Sequence, residues 1–316
     1  MRSSELLACP RCGGGLRALR CDACAVQYPA PGGIPDLRLQ SDARTEAVRE
    51  FYARAPFPGY PPRDTLSGLR ARAARSEFAR LLDAAIPGDV TVLEMGCGTG
   101  QLSLFLSSAD RVVIGADLAR PSLELACAAA LRYGLPTHFV ETDLRAPGFR
   151  REAFDVVICT GVLHHTPDPR ASFAAVARLV RPGGVLVIGL YNVYARLPLR
   201  LRRAVFRLSG AAPFDPVLRE RRAEPARREA WLRDQYLHPE EHRHTLAEVQ
   251  GWFRENGVEY VRSFPSALFG GQDEDLFAGA GDRWAPEALL CQLGWMRALG
   301  GEGGLFAAVG MRKAGA

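Results

Sequence analysis

Four of the eight cysteines fall at the start of the chain, as Cys9-Pro-Arg-Cys12 and Cys21-Asp-Ala-Cys24. Each CxxC turn can present two thiolates to one ion, and zinc takes four such soft ligands in a tetrahedron. Gly13, Gly14 and Gly15 follow the first pair and free the backbone to turn where it wraps a metal. A segment of about 35 residues has too little core to fold alone, and a bound ion supplies the missing stability. With four cysteines and no open ligand position, the expectation is a structural zinc on Cys9, Cys12, Cys21 and Cys24. Redox-active or disulfide-bonded pairs are the alternative. Cys97, Cys127, Cys159 and Cys291 are scattered through apolar segments and read as small core residues.

A second site is written in Glu94-Met95-Gly96-Cys97-Gly98-Thr99-Gly100, between a short β-branched strand and a helix. Glycines let the backbone pass beneath a ligand, and the helix start offers free N–H groups to an anion. A dinucleotide fingerprint would want glycine at 96, 98 and 101, but position 101 is glutamine. Further along, Arg111–Asp117 reads as a strand whose terminal acid can accept hydrogen bonds from both ribose hydroxyls. Thr137–Leu144 reads as a third strand ending at Asp143, and Phe154 begins a fourth that runs to Cys159-Thr160-Gly161-Val162. Leu179–Asn192 reads as a helix end, a Pro182-Gly183-Gly184 stop and a fifth strand. His164 and His165 follow the fourth strand at the rim where open α/β sheets bind ligands, and histidine can take a substrate proton near neutrality. Tyr191 and Asn192 leave the fifth strand at the same rim. For each of these the plainer reading is a structural role.

The E-x-G-x-G-x-G run, with the strand-end acids and the fourth- and fifth-strand segments in order, resembles class I (Rossmann-like) S-adenosylmethionine-dependent methyltransferases. The resemblance covers about residues 86–192. It implies an α/β fold: a seven-stranded, mostly parallel sheet with helices on both faces and an antiparallel seventh strand. It also implies that Glu94, Met95, Gly96, Cys97, Gly98, Thr99 and Gly100 face the methionine part of S-adenosylmethionine. Asp117 with Leu118 would face the ribose, Asp143 with Leu144 the adenine, and Thr160 with Gly161 the transferable methyl. The family's amino-methylating Asn/Asp-Pro-Pro-Tyr motif and its Pro-Cys nucleophile are both missing after the fourth strand. His165 and Tyr191 are the candidate catalytic residues. Tyr28–Leu37 resembles the end of the short zinc ribbons found beside methyltransferase domains, over about residues 6–39.

The expected plan is a zinc-ribbon-like module at 1–39, a helical lead-in or substrate cap at 40–85, and the methyltransferase domain at 86–316. That domain carries insertions at about 192–245 and 265–303, the second rich in glycine and tryptophan (Trp284, Trp295). Ala55–Tyr60 is a candidate roof over the pocket, or else an aromatic-proline linker. In Asp234–Thr245 the residues His238, Glu241, His242 and His244 look metal-like, but Pro239-Glu240-Glu241 is also an ordinary helix start in a substrate-facing loop.

Hydrophobic residues make up 47% of the 316 and charged residues 24%, as in globular proteins. No apolar run reaches the roughly 18–20 residues of a membrane span, and the N-terminus shows no secretory signal. A cytoplasmic location with no membrane partner is the expectation. The net charge is +5, and Lys313 is the only lysine among 40 basic residues. From Arg196 to Arg228 there are ten arginines against Asp215, Glu220 and Glu224, either a solvated helical face or a patch for phosphates or an acidic substrate. The expected function is methyl transfer from S-adenosylmethionine to oxygen, nitrogen or carbon of a small molecule, by proximity with an optional general base. An RNA methyltransferase, favoured by the ribbon and the arginines, is the alternative; a non-methylating S-adenosylmethionine-binding protein is the second. The acceptor and the oligomeric state are open at this level.

Overall fold

The β-branched runs Thr91–Met95, Val112–Asp117 and Phe154–Thr160 are buried on both faces, and that double burial puts them at the centre of a sheet. In the computed structural model, residues 3–60, 64–107, 110–212, 214–269, 275–279, 285–299 and 303–314 are described. A two-stranded ribbon, β1 (Leu16–Arg17) and β2 (Arg20–Cys21), precedes the sheet. The sheet comprises β3 (Thr91–Met95), β4 (Val112–Asp117), β5 (His138–Glu141), β6 (Phe154–Thr160), β7 (Val180–Tyr191), β8 (Val258–Phe264) and β9 (Leu305–Arg312). Its order is β5-β4-β3-β6-β7-β9-β8. The pairs from β5 to β7 are parallel, while β9 runs antiparallel to both β7 and β8. The expected seven-stranded, mostly parallel α/β fold is therefore present. The order reverses between β3 and β6, which opens a crevice at the carboxyl ends of these strands.

Eleven helices are described: α1 (Ala43–Arg54), α2 (Leu66–Arg75), α3 (Glu77–Ala85), α4 (Gln101–Leu106), α5 (Arg120–Tyr133) and α6 (Pro169–Ala177), then α7 (Leu197–Ser209), α8 (Pro216–Glu220), α9 (Pro225–Leu232), α10 (Leu246–Glu255) and α11 (Ala285–Ala298). Local sequence sets several of their starts. The side chains of Asp42, Thr65, Ser76, Asp168 and Thr245 each accept the N–H three residues on. The apolar core on one face of the sheet joins Leu93, Val157 and Leu186 to Phe173 of α6 and Phe253 of α10. On the other face Leu82 of α3 packs with Val92, Val113 and Val187. Trp284 lies outside the described residues, whereas Trp295 of α11 is buried 5.5 Å from the Phe306 ring.

Three local expectations fail. Pro182-Gly183-Gly184 does not stop a helix, because α6 already ends at Ala177. The N–H groups of Ala153 and Phe154 bond to the Leu179 carbonyl at 3.0 and 3.1 Å, so the strand has begun before the proline. The triplet sits inside β7 at a register shift opposite Phe154 and Val156, with Gly183 at φ +74°. Nor does Pro239-Glu240-Glu241 start a helix. That stretch runs as a non-helical loop across the rim, where His242 N–H bonds to the His164 carbonyl (2.8 Å) and His244 N–H to the Tyr191 carbonyl (2.9 Å). Those N–H groups are engaged by the rim, and the helix begins only after Thr245. Residues 238–244 are thus a loop, and His238 and His242 share no helix face. The third strand also ends early, at Glu141, leaving Asp143 in the following turn.

The N-terminal segment is sewn onto this sheet. Asp36 pairs in parallel with Glu141, with Leu37 N–H bonding to the Glu141 carbonyl (2.8 Å) and Glu141 N–H to the Pro35 carbonyl (2.9 Å). Ala8 N–H reaches the Gly148 carbonyl and Arg150 N–H the Leu6 carbonyl, at 3.0 and 2.9 Å. Leu6, Leu7, Tyr28 and Leu37 are buried in the same core as Phe149 and Phe154.

Candidate functional site

A cavity of about 420 Å³ opens at the carboxyl ends of β3, β4, β6 and β7. The turn after β3 forms its floor. The N–H groups of Gly96 and Cys97 both bond to the Ala116 carbonyl, at 2.6 and 3.0 Å, and Gly98 N–H bonds to Asp117 Oδ2 at 2.8 Å. Gly98 (φ +53°) could carry no side chain, because a Cβ there would collide with the Phe57 carbonyl oxygen. The lead-in clamps the turn from above: Thr99 Oγ1 donates to the Pro58 carbonyl (2.5 Å), and Tyr60 Oη donates to the Thr99 carbonyl (2.6 Å). Phe57 and Pro58 stand on the cavity wall. Of the seven turn residues, Glu94 to Gly98 line the cavity. Thr99 is spent on Pro58, and Gly100 backs onto Ala126 and Phe139 of the core.

The acids converge on the same space. Asp117 ends β4 half-buried on the cavity wall, and its Oδ1 accepts the Ala119 N–H at 2.8 Å. Burial pushes its carboxyl up, against the pull of these N–H groups. Each oxygen accepts one backbone N–H and keeps a second lone pair for a ligand hydroxyl. Asp143 is held by Arg145 at 2.8 Å, and Leu118, Leu144, Thr160 and Gly161 complete this end of the wall.

Glu94 accepts a hydrogen bond from the Ser103 hydroxyl and is pushed up to about 7, chiefly by burial, with Asp117 nearby adding to it. A carboxyl raised above its ordinary 4.5 contributes stability that is complete below that value and lost as pH rises through about 7. Glu94→Gln should abolish this loss. Urea titrations from pH 5 to 9 should show the wild type losing on the order of 3 kcal/mol relative to the variant, and parallel pH profiles would contradict the assignment.

At the far end, His165 and Tyr191 meet Tyr52, Asp234 and Gln235, which the sequence did not single out. His165 Nδ1 lies 2.7 Å from the Glu240 carbonyl, which can only accept, so Nδ1 carries the proton and Nε2 the lone pair. Burial lowers its pKa to about 4, so the ring is neutral at pH 7, and it stacks on His238 with centroids 3.6 Å apart. Tyr191 Oη accepts from Gln235 Nε2 (2.8 Å), and its ring lies between His164 at 3.7 Å and the Arg196 guanidinium at 3.5 Å. Asp234 accepts from Tyr52 Oη (2.8 Å) and Gln235 Nε2 (2.7 Å). Asp234, Gln235 and Tyr52 all line the cavity, and the first two sit on a π-helical turn, Arg233–Leu237, continuing from α9. His164 is wholly buried behind the wall, and Asn192 spends its Oδ1 on the Tyr194 and Ala195 N–H groups; neither lines the cavity.

The arginine-rich stretch divides. Arg196 is completely buried and bonded to Glu241, Gln235 and the Gly303 carbonyl, while Arg203 joins it on Glu241. Arg202 and Arg227 face Asp215 and Glu224.

The thiol sulfurs of Cys9, Cys12, Cys21 and Cys24 all lie within 4.8 Å of one another. Cys9–Cys24 and Cys12–Cys21 are 3.7 and 3.4 Å apart, against about 3.8 Å between ligands of a tetrahedral zinc with bonds of about 2.3 Å. Cys24 N–H points at Cys21 Sγ (3.4 Å), and Tyr28 Oη lies 3.0 Å from Cys9 Sγ. The set fits a zinc ion. Among the described residues no other group of His, Cys, Asp and Glu converges in this way, the His238–His244 loop included.

Comparison with known proteins bears on the sheet itself. Residues 93–188 match the family described as "Methyltransferase domain". An uncharacterized protein of Synechococcus is 27% identical over 268 residues, 73% of this chain and 64% of that one. A ubiquinone biosynthesis O-methyltransferase of Haemophilus ducreyi is 38% identical over 106 residues, 32% of this chain and 45% of its own length. The chain thus spans less than two thirds of either relative. A solved magnesium protoporphyrin IX methyltransferase from Synechocystis with bound SAM is 18% identical, with a TM-score of 0.48 over 87% of this chain and 99% of that one. The matched methyltransferase segment contains the glycine turn, Asp117, Asp143, Thr160, Gly161 and His165, but not Tyr52, Tyr191, Asp234 or Gln235.

Proposed function

We propose that the protein transfers the methyl group of S-adenosylmethionine to a small molecule at oxygen, nitrogen or carbon. One observation carries the reading: a single cavity joins the glycine turn and strand-end acids at one end to a neutral histidine and a buried carboxylate at the other. When bound, the cofactor supplies a methyl group on a sulfonium, already activated for in-line displacement. The chain's task is to hold and align. Glu94 to Gly98 flank the methionine part, Asp117 accepts from the ribose hydroxyls, and Asp143 with Leu144 borders the adenine. Thr160 and Gly161 pass beside the methyl. His165 Nε2 takes the acceptor's proton where one must leave, its Nδ1–H fixed on the Glu240 carbonyl. Tyr191, held by Gln235 and Arg196, shapes that end of the cavity.

A small acceptor is supported by the lead-in closing over the cavity and by the four arginines of 196–228 that are paired within the chain. Cys9, Cys12, Cys21 and Cys24 would hold one structural zinc, whose thiolates suit a reducing, cytoplasmic setting. The proposed division is a zinc module at 1–39, a lead-in cap at 40–85 and a catalytic domain at 86–316.

Calorimetry with S-adenosylmethionine, followed by release of S-adenosylhomocysteine in fractionated cell extract, tests this. His165→Gln should lower turnover about a hundredfold while leaving cofactor affinity unchanged. Binding without S-adenosylhomocysteine from any fraction would turn the reading toward a non-methylating binder. Co-purified nucleic acid with a steep salt dependence would turn it toward RNA.

A further inference from the structure

Helix α7 has two apolar faces. Leu199, buried, and Phe206, whose ring lies 5.2 Å from that of Tyr236, pack inward. Leu197, Leu201, Val205 and Leu208 recur at steps of four, four and three, so they form one stripe along the helix. That stripe is in solvent: Leu201 is 72% exposed and Leu208 90%, and Phe214 beyond the helix end is 69% exposed. Five of the 13 large exposed hydrophobics among the described residues fall within 197–214, and four of them share this one helix stripe.

Arg200 and Arg207 stand exposed along one edge of the stripe. Unlike Arg202 and Arg203, which face Asp215 and Glu241, neither meets a carboxylate among the described residues. The helix itself contains no acid. We propose that this face docks on an anionic lipid bilayer. A bilayer surface offers apolar depth for a stripe of about 16 Å and, beside it, phosphates for the two guanidiniums. A second copy of the chain fits worse, because a twofold contact would bring the same arginines together with no acid on the helix to answer them. A nucleic acid would satisfy the arginines and leave the leucines in water. No helix among the described residues is long and apolar enough to cross a membrane, so the docking is peripheral. This departs from the sequence expectation of no membrane partner. The inner face of the same helix holds the cavity wall, where Arg203 Nε bonds to the Gln235 carbonyl at 2.6 Å.

Co-sedimentation of the full chain with phosphatidylglycerol–phosphatidylcholine vesicles, against phosphatidylcholine alone, tests this at low ionic strength. The wild type should partition onto the anionic vesicles. Leu201→Asp with Leu208→Asp, and separately Arg200→Glu with Arg207→Glu, should each weaken partitioning about tenfold or more. Circular dichroism and melting temperature should stay unchanged, since these side chains lie in solvent. No partitioning of the wild type, or leucine variants that partition as it does, would overturn the proposal. So would a wild-type dimer dispersed by Leu208→Asp, which would assign the face to a second copy.

Discussion

Asp117→Ala should weaken S-adenosylmethionine binding at least a hundredfold while leaving the sheet intact. In the proposed reading the carboxylate accepts from two ribose hydroxyls, and a hydrogen bond to a charged group contributes about 1.5–3 kcal/mol. Losing both is therefore on the order of a factor of 10² to 10⁴ in affinity. The same carboxylate also receives the Gly98 and Ala119 N–H groups, so the alanine variant loosens the turn that bears Glu94 to Gly98. Asp117→Asn separates the two effects. Its carbonyl oxygen still caps one N–H, so the turn is better held, but the charge and one acceptor are gone. Calorimetry should show both variants crippled for the cofactor, with the asparagine variant melting no lower than the wild type, because burial already penalises the native charge. Unchanged affinity in either would remove the ribose assignment and the orientation of every group placed from it.

Much of this was legible in the chain. Val92 and Leu93, Val113 and Ile114, and Val156 to Ile158 are continuous apolar runs, which only strands buried on both faces require. Asp117 and His165 could be placed because strand ends in an open α/β sheet point at its crevice. Signals failed where tertiary contacts override local preference. Pro182-Gly183-Gly184 has the composition of a helix stop, yet strand pairing had already begun at Val180 and the triplet became a bulge. Pro239-Glu240-Glu241 has the composition of a helix start, but its neighbours' N–H groups are engaged by the rim of the sheet.

The other omissions concern which side of a helix faces what. Asp234 and Gln235 reach the cavity from a π-helical turn, whose extra residue breaks the periodicity that would have predicted their direction. Arg196 opens an arginine-rich stretch that reads as a solvated face or an anion patch, yet it is fully buried because Glu241 and Gln235, some forty residues on, meet it. The leucines of α7 lie beyond sequence reading for a like reason: a pattern gives the stripe, but only packing tells which of two apolar faces is covered.

Cys9→Ser with Cys12→Ser should remove zinc from the chain and destabilise more than the first 39 residues. A structural zinc in a small module contributes on the order of 10 kcal/mol, and two serines in place of thiolates forfeit most of it. Were the module a free bead on a linker, the damage would stop there. Here Leu6, Leu7, Tyr28 and Leu37 share the core of Phe149 and Phe154, and residues 35–37 pair with the outermost strand, β5. Unfolding the module therefore strips an edge from β5 and opens one side of that core. Elemental analysis should find one zinc per wild-type chain and none in the variant. Hydrogen exchange should accelerate at the Leu37 and Glu141 amides, which bond across the junction, but not at the central strands β3 and β6. A variant that keeps its full zinc complement would refute the site. Fast exchange confined to residues before Pro35 would instead make the junction stable without the metal, contrary to the coupling argued from the shared core.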